Sequence, residues 1–280
     1  MCAMQKIGIL WGGDMSDVAR FRDPFRKKLR DLGYIEGQNI TIVDQYAEGK
    51  EQEFTRLASE LVDSNVDVIV ASGTPATKAA AAATTTKPIV FAAVGDPREV
   101  QGNNITGVRL PEPGLSGERL RFLKQAIQSV KTVAVLRNPN NPVHQSYLVK
   151  MQEVAQQLNI DLQPHSFDEL AGADALIVLP DPTSHSQRSK TMTFAIKKRL
   201  PAVYSQRSYV EEGGLMSYGP SYPAMFQQAA GLVSKILDGT APSQLPIVET
   251  SPERVINLNA AAQIGVRISK EALAGATVIN

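Results

Sequence analysis

The chain has 280 residues and a mass of 30.3 kDa, which is enough for one large or two medium-sized domains. Its 29 Lys+Arg and 28 Asp+Glu residues leave a net charge of +1, without the basic excess of a nucleic-acid or membrane-surface binder. The single cysteine, Cys2, excludes an intrachain disulfide, and no apolar run approaches the ~18 residues that span a bilayer. A strand pattern begins at Lys6, so we expect either a cytoplasmic protein or one whose export segment is missing from this sequence.

Short apolar runs alternate with longer helical patterns along the first half of the chain. The first predicted strand covers residues 6–11, and Asp23-Pro24 predicts the start of a helix that Gly33 ends. An amphipathic helix over 54–62 separates two further predicted strands, at 39–43 and 66–71, and another strand follows at 88–93. The nearly continuous apolar run of residues 66–71 is typical of a central parallel strand with both faces covered.

The second half of the chain has the same alternation. Strands are predicted at 132–136, 160–162, 174–179, 201–204, 215–218 and 255–258, and helices at 143–158, 186–198 and 225–237. Strands that alternate with helices of this length predict an α/β fold with doubly wound parallel sheets.

Three landmarks of the first half reappear in the same order in the second half. The strand that starts at Lys6 corresponds to the strand that starts at Lys131. Asp67 then corresponds to Asp174, and Pro88 corresponds to Pro201. The correspondence favours two similar lobes in tandem, and the alternative is the shared pattern of any two doubly wound sheets. Both interpretations give the same architecture.

Candidate binding residues lie where the predicted strands end. In an open parallel sheet, ligands bind beyond the carboxyl ends of the strands, where helix N-termini present unpaired N–H groups. Six turns of small, polar and aromatic residues occupy such positions: Trp11-Gly12-Gly13, Ser72-Gly73-Thr74-Pro75, Val94-Gly95-Asp96, Asn138-Pro139-Asn140, Asp181-Pro182-Thr183 and Tyr204-Ser205-Gln206. A cleft between two such sets of turns is a natural site for a small polar molecule.

The turn at Ser72 is the most informative of the six. Thr74 is positioned to cap a helix that Pro75 opens, and Gly73 removes the side chain that would block a close approach. The N–H groups and the dipole of such a helix suit a carboxylate or another anion. The alternative is an ordinary capped turn without a ligand.

The other candidate side chains each have two interpretations. Trp11 either stacks on an aromatic or apolar ligand or packs under its own loop. Asp96 and Asp181 either hold an ammonium or hydroxyl group of a ligand or form Asx turns with the prolines that follow them. Tyr204 and Tyr218 end strands on the same side as these turns, and core packing is the alternative for each of them.

We find no catalytic signature in the sequence. It has no G-x-S-x-G elbow and no phosphate-binding glycine loop, and Gly12-Gly13-Asp14 follows the first strand. His144, His165 and His185 are separated from one another and from Cys2, so their spacing supports neither a zinc site nor a Cys/His dyad. We therefore expect a non-enzymatic protein that holds no metal and no cofactor.

The chain resembles the ABC-transporter substrate-binding proteins of the tryptophan- and tyrosine-binding type, within the type I periplasmic binding protein superfamily. The resemblance extends from residue 6 to about residue 268, and its most specific parts are LGYIEGQNI and the series from IVFAAVGDP to NITGV. Other matching segments are LASELVDSNVDVIVASGTPATKAAAAAT, VAVLRNPNNP, PAVYSQ, GGLMSYGPSY and VINLNAAAQIGV.

The resemblance implies two doubly wound lobes joined by a multi-strand hinge that close on a small ligand. Lobe one takes residues 1–109 and 220–246, lobe two takes 110–219 and 247–280, and the ligand lies in the cleft between them. It also implies export to the periplasm or a lipid anchor, with Cys2 in the position of a lipid-modified cysteine, and delivery of the ligand to an ABC permease.

By position, the first-lobe contacts are Ser72, Thr74 and the Ala93-to-Asp96 turn, and the second-lobe contacts include Asn138 and Asp181. The full set of candidate ligand-binding residues is Trp11, Gly12, Gly13, Ser72, Gly73, Thr74, Ala93, Gly95, Asp96, Asn138, Asn140, Asp181, Thr183, Tyr204, Ser205 and Tyr218.

The sequence therefore predicts a monomeric solute-binding protein whose ligand is an aromatic or branched amino acid or an aromatic carboxylate. Closure would select the state in which both lobes contact the ligand. Two alternatives remain open, a cytoplasmic α/β enzyme that acts on a sugar or nucleotide and a ligand-sensing module.

Overall fold

The structure is a computed structural model that describes residues 4–111, 114–139, 141, 143–166, 172–180 and 187–280. The chain divides into two compact units. Unit 1 comprises residues 1–110 and 222–250, and unit 2 comprises residues 111–221 and 251–280.

Unit 1 is built on a six-stranded sheet in which every strand pair is parallel. The strand order is β11-β5-β4-β3-β1-β2. The strands are β1 (Gln5–Trp11), β2 (Ile40–Tyr46), β3 (Val68–Ser72), β4 (Ile89–Val94), β5 (Ile105–Arg109) and β11 (Val248–Glu249).

Helices cover both faces of this sheet. Its helices are α1 (Met15–Asp31), α2 (Glu53–Asp63), α3 (Gly73–Ala83) and α8 (Tyr222–Leu237). In β3, Val68 and Val70 face the core formed with α1 and α8, whereas Ile69 and Ala71 face the core formed with α2 and α3. This alternation explains why a parallel strand buried on both faces is apolar at every position.

Unit 2 contains a seven-stranded sheet with the order β13-β12-β10-β9-β8-β6-β7. All its pairs are parallel except β10 with β12, which is antiparallel. The strands are β6 (Thr132–Leu136), β7 (Asp161–His165), β8 (Ala175–Val178), β9 (Ala202–Tyr204), β10 (Met216–Pro220), β12 (Pro252–Asn257) and β13 (Thr277–Ile279).

The two faces of the second sheet are also buried by helices. These helices are α4 (Leu115–Ala126), α5 (Val143–Leu158), α6 (Arg188–Lys197), α7 (Arg207–Glu211), α9 (Leu258–Ile264) and α10 (Lys270–Ala274). The larger core lies against α4, α5, α9 and α10, and the smaller core lies against α6 and α7. The expected α/β class with two doubly wound sheets is confirmed.

The corresponding landmarks of the two halves occupy equivalent places in the two sheets. Ignoring β11, β12 and β13, both orders have the form second-first-third-fourth-fifth. Asp67 accepts a hydrogen bond from the backbone N–H of Lys6 at 2.6 Å, and Asp174 accepts one from the backbone N–H of Lys131 at 3.0 Å. The same side chain therefore links the starts of the first and third strands in each unit.

The structure differs from the sequence-based expectations at two places that affect the unit boundaries or the first turn. The chain stays in unit 1 until Thr250 rather than leaving after residue 246, because Val248 and Glu249 pair with β5. Helix α1 begins at Met15, so Pro24 lies inside this helix instead of opening it.

Candidate functional site

The carboxyl ends of β1 and β3 lie side by side at the point where the strand order of unit 1 reverses. Leu10 of β1 pairs with Ala71 of β3, so the turns that start at Trp11 and Ser72 leave the sheet next to each other. Crevices at such reversal points are where open α/β sheets bind ligands. Gly12, Gly13, Ser72, Gly73 and Thr74 of the predicted site all lie at this edge.

The N-terminus of α1 is closed by its own side chain. Asp14 accepts hydrogen bonds from the N–H groups of Ser16 at 2.8 Å and Asp17 at 2.9 Å. The hydrogen bond from the Asp17 backbone and that from the Ser16 hydroxyl lower the pKa of the Asp14 carboxyl. An additional anion at this helix terminus would meet a carboxylate that already occupies the N–H groups.

The N-terminus of α3 has no side-chain cap. The helix begins at Gly73, so Thr74 is its second residue and does not have the predicted capping position. Ser72 occupies the capping position, but its hydroxyl makes no capping hydrogen bond. Gly73 has φ of +84°, a conformation that favours glycine. The N–H groups of this helix terminus are therefore the ones available to an anion.

Trp11 does not present its ring at this edge. The side chain is 0% exposed and packs against Phe226 of α8, with ring centroids 5.1 Å apart. Its indole Nε1 donates to Asp44 Oδ1 at 2.8 Å, and Asp44 is also paired with Arg26. A ring enclosed in this way has no face for a ligand, so the structure supports packing rather than the predicted stacking.

The last residues of β4 include a strained position, and a capped 3-10 turn follows the strand. Ala93 has φ of +63°, and the pairing of β4 with β5 shifts register between Ala92 and Val94. Asp96 accepts a hydrogen bond from the backbone N–H of Arg98 at 3.0 Å, and the Arg98 guanidinium lowers the pKa of the Asp96 carboxyl to about 2. Asp96 is thus engaged within its own turn, as its second interpretation predicted. Gly95, between these residues, is exposed.

In unit 2, the reversal of strand order lies between β6 and β8. Asn138 follows β6 and is half-buried. The other predicted contacts near this point, Asn140, Asp181 and Thr183, lie outside the described residues.

His144 connects the two turns at this reversal point, a role that the sequence analysis, which considered it only for a zinc site or a Cys/His dyad, did not predict. Its Nδ1 accepts from the Asn138 backbone N–H at 3.0 Å, and its Nε2 is 3.1 Å from the carbonyl oxygen of Pro180. Because a carbonyl only accepts, Nε2 carries the hydrogen and donates to Pro180. The ring is 0% exposed, so it acts as a fixed internal link rather than as a surface group.

The predicted residues at the end of β9 and in the middle of β10 are buried. The Tyr204 ring is stacked on Tyr209 with centroids 4.7 Å apart, and burial raises the pKa of the Tyr204 hydroxyl. Ser205 is 2% exposed, and Tyr218 packs against Phe122 at 5.9 Å between centroids. For the two tyrosines, the structure supports core packing, the alternative interpretation.

Gly219 allows the end of β10 to lie close to the backbone that follows β9. The sequence pattern did not predict this role of the glycine. A Cβ atom at Gly219 would lie 1.8 Å from the carbonyl oxygen of Ser205. Only a residue without a side chain allows the end of β10 to run beside this backbone.

The part of the chain that the structure describes contains no cluster of three His, Cys, Asp or Glu side chains that could hold a metal ion. Within the same residues, every helix is too short or too polar to cross a membrane.

Known proteins share this α/β fold with two sheets. The profile of the family described as ABC transporter substrate binding protein matches residues 15–279. The chain belongs to this family, whose members bind substrates and are not enzymes.

A curated relative is the tyrosine-binding protein of Clostridioides difficile (strain R20291), which is 24% identical over 271 residues, with 90% of this chain and 78% of that protein covered. A solved conserved domain protein from Vibrio cholerae is similar with a TM-score of 0.80 and 27% identity, over 99% of this chain and 100% of the other. An ABC domain from Streptococcus pneumonia, solved in complex with L-Trp, has a TM-score of 0.82 and 22% identity over the same shares.

Proposed function

We propose that this protein is the extracytoplasmic solute-binding component of an ABC importer. Its ligand is an aromatic or branched amino acid or an aromatic carboxylate, which the protein delivers to a permease. The family match supports transport, and the tyrosine- and tryptophan-binding relatives support the ligand class. The protein acts as a monomer, and it reaches its compartment through an export segment or a lipid anchor.

The ligand lies in a cleft between the two units, at the edges where the strand order of each sheet reverses. One observation carries this proposal in unit 1. Of the two helix N-termini at the reversal point, that of α1 is capped by Asp14, whereas that of α3 lacks a side-chain cap. The carboxylate of an amino acid satisfies the N–H groups at α3, and Ser72 and Thr74 lie beside it.

Unit 2 contributes Asn138, which the His144 hydrogen bond holds in place, together with Asn140, Asp181 and Thr183 of the sequence-predicted set. An aspartate at position 181 pairs with the ammonium group of the ligand. The hydrogen bonds at Asn138 and Asp181 then distinguish an amino acid from a simple aromatic acid.

Ligand class is tested by thermal unfolding and calorimetry with L-Tyr, L-Trp, L-Phe, L-Leu and 4-hydroxybenzoate, with ribose and glucose as comparison compounds. At a ligand concentration one hundred times the Kd, binding adds about 2.7 kcal/mol to the stability. For a protein of this size, that gain raises the Tm by roughly 5 °C. A response to the sugars alone, or turnover of any bound compound, would contradict the proposal.

The position of the ligand carboxylate is tested by Ser72→Asp. The new carboxylate would occupy the N–H groups of α3, so we expect affinity to fall at least tenfold while the unliganded protein keeps its stability. Ser269→Asp is the matched control, because Ser269 caps α10 with its hydroxyl and the same charge there should leave affinity unchanged.

Two further variants test the facing halves of the site. Thr74→Val and Asp181→Ala should each lower affinity at least tenfold and leave the fold intact. Unchanged titrations in both variants would contradict the placement of the ligand between these turns.

A further inference from the structure

Arg254 in β12 stands over two aromatic rings of unit 2. Its guanidinium carbon is 5.5 Å from the ring centroid of Phe122 and 5.2 Å from that of Tyr218. Both distances lie within the range of cation–π attraction, which is about 6 Å. The charged group is therefore held in a defined place by apolar neighbours.

No carboxylate neutralises this arginine within the described residues. The side chain of Arg254 forms no ion pair or hydrogen bond there. Its neighbour Glu253 also lines the cavity described below, but the carboxylate of Glu253 is paired with Arg207 at 3.6 Å. A guanidinium offers five N–H donors in a planar fork that matches the oxygens of a carboxylate or phosphate. These donors are available to a bound molecule.

The guanidinium borders an open cavity of about 570 Å³. Residues 274–277, between α10 and the first residue of β13, form the facing wall. A Cβ atom at Gly275 would lie 3.2 Å from Arg254 Nη1, so the absence of a side chain at this position makes room for the guanidinium. The volume lies within the range of about 300–1,000 Å³ that small-molecule sites occupy.

This cavity is separate from the reversal point of the sheet in unit 2. In the strand order, β12 is three steps from β8 and four steps from β6. At about 4.8 Å for each step, the separation is roughly 14–19 Å. A ligand at Asn138 would therefore not fill the cavity beside Arg254.

We propose that Arg254 and this cavity form a second binding site, which takes a small molecule that carries a carboxylate or phosphate group. The oxyanion receives two N–H groups of the guanidinium, and the rest of the molecule lies against the wall at residues 274–277. Phe122 and Tyr218 hold the planar guanidinium in place, so little side-chain freedom is lost on binding.

The test uses the full chain without a transported ligand and measures thermal unfolding in sodium phosphate, sodium succinate and sodium chloride at equal ionic strength. Equal ionic strength removes general screening as a cause of any difference. We expect phosphate or succinate to raise the Tm above its value in chloride, and the more effective of the two identifies the oxyanion. Arg254→Gln should lose most of this increase.

Arg267→Gln is the matched control, because Arg267 is an exposed arginine of the same unit outside this cavity, and it should keep the full increase. Gly275→Val keeps the arginine but displaces its guanidinium, so it should also lose the increase, even where Arg254→Gln does not fold. Equal values in the three salts, or an increase that survives both Arg254→Gln and Gly275→Val, would overturn the proposal.

Discussion

The hydrogen bonds of His144 allow a quantitative test of how the turns in unit 2 are held. His144→Phe keeps a buried aromatic ring but removes the acceptor for the Asn138 N–H and the donor to the Pro180 carbonyl. Leaving a buried backbone group without its partner costs about 1–3 kcal/mol. Two such groups, both half-buried, predict a loss of roughly 2–4 kcal/mol in the free energy of unfolding.

His165→Phe provides a matched control with the opposite expectation. The Nε2 atom of His165 is buried and has no hydrogen-bond partner among the described residues, so replacing the imidazole removes an unsatisfied polar group. Such a change should be neutral or stabilising. The two variants make the same chemical substitution in the same unit, at a fully buried ring in α5 for His144 and at a half-buried ring in β7 for His165.

Urea unfolding followed by far-ultraviolet circular dichroism gives both free energies, and equal m values establish that the unfolded states are comparable. We also expect His144→Phe to weaken ligand binding, because Asn138 loses its support, whereas His165→Phe leaves affinity unchanged. A loss below about 1 kcal/mol for His144→Phe, or equal losses for both variants, would refute the linking role of His144.

Three shorter predictions concern other parts of the molecule. Gly219→Ala should lower the free energy of unfolding by about 3 kcal/mol, because the new Cβ would collide with the Ser205 carbonyl. Gly231→Ala should raise it by about 0.5–1 kcal/mol, because Gly231 lies inside α8 and a Cβ there meets no other atom. Urea unfolding measures both changes. Burial raises the pKa of the Glu253 carboxyl, so ionisation of this group lowers the free energy of unfolding. The stability of Glu253→Gln relative to that of the parent protein should therefore increase as the pH rises from 4 to 8. The fluorescence of Trp11 should show weak acrylamide quenching with or without ligand, and strong quenching would contradict its burial.

The α/β class with two doubly wound sheets was predictable because it depends on local patterns. Apolar runs of five or six residues, separated by helical periodicity, allow few arrangements other than parallel sheets. The correspondence between Asp67 and Asp174 was also visible in the sequence, and the structure gives its physical meaning, since each carboxylate caps the start of the first strand in its unit.

The environment of Trp11 was not predictable, because it depends on residues distant in sequence. Phe226, which covers the ring, comes more than two hundred positions later, and Asp44, which binds the indole N–H, belongs to the neighbouring strand. A tryptophan at the end of a strand has the same local sequence whether or not a helix of the same unit later covers it. Burial at this position is a property of the tertiary structure.

The caps of α1 and α3 show why the start of a helix must be known before its anion-binding capacity can be judged. The sequence suggested a cap at Thr74, but β3 extends through Ser72 and the helix starts at Gly73, so Thr74 lies within the first turn. The start expected at Asp23-Pro24 lies in the middle of α1, and Asp14 caps this helix nine residues earlier. The two errors have opposite consequences for binding. Helix α1, whose cap at Asp14 was not predicted, is closed to an anion, and helix α3, for which a cap was predicted, keeps its N–H groups available. Whether an anionic ligand can bind at this edge therefore depends on which of the two adjacent helices already holds a carboxylate. For that reason, a carboxylate introduced at Ser72 is a stricter test of the site than the removal of any single contact.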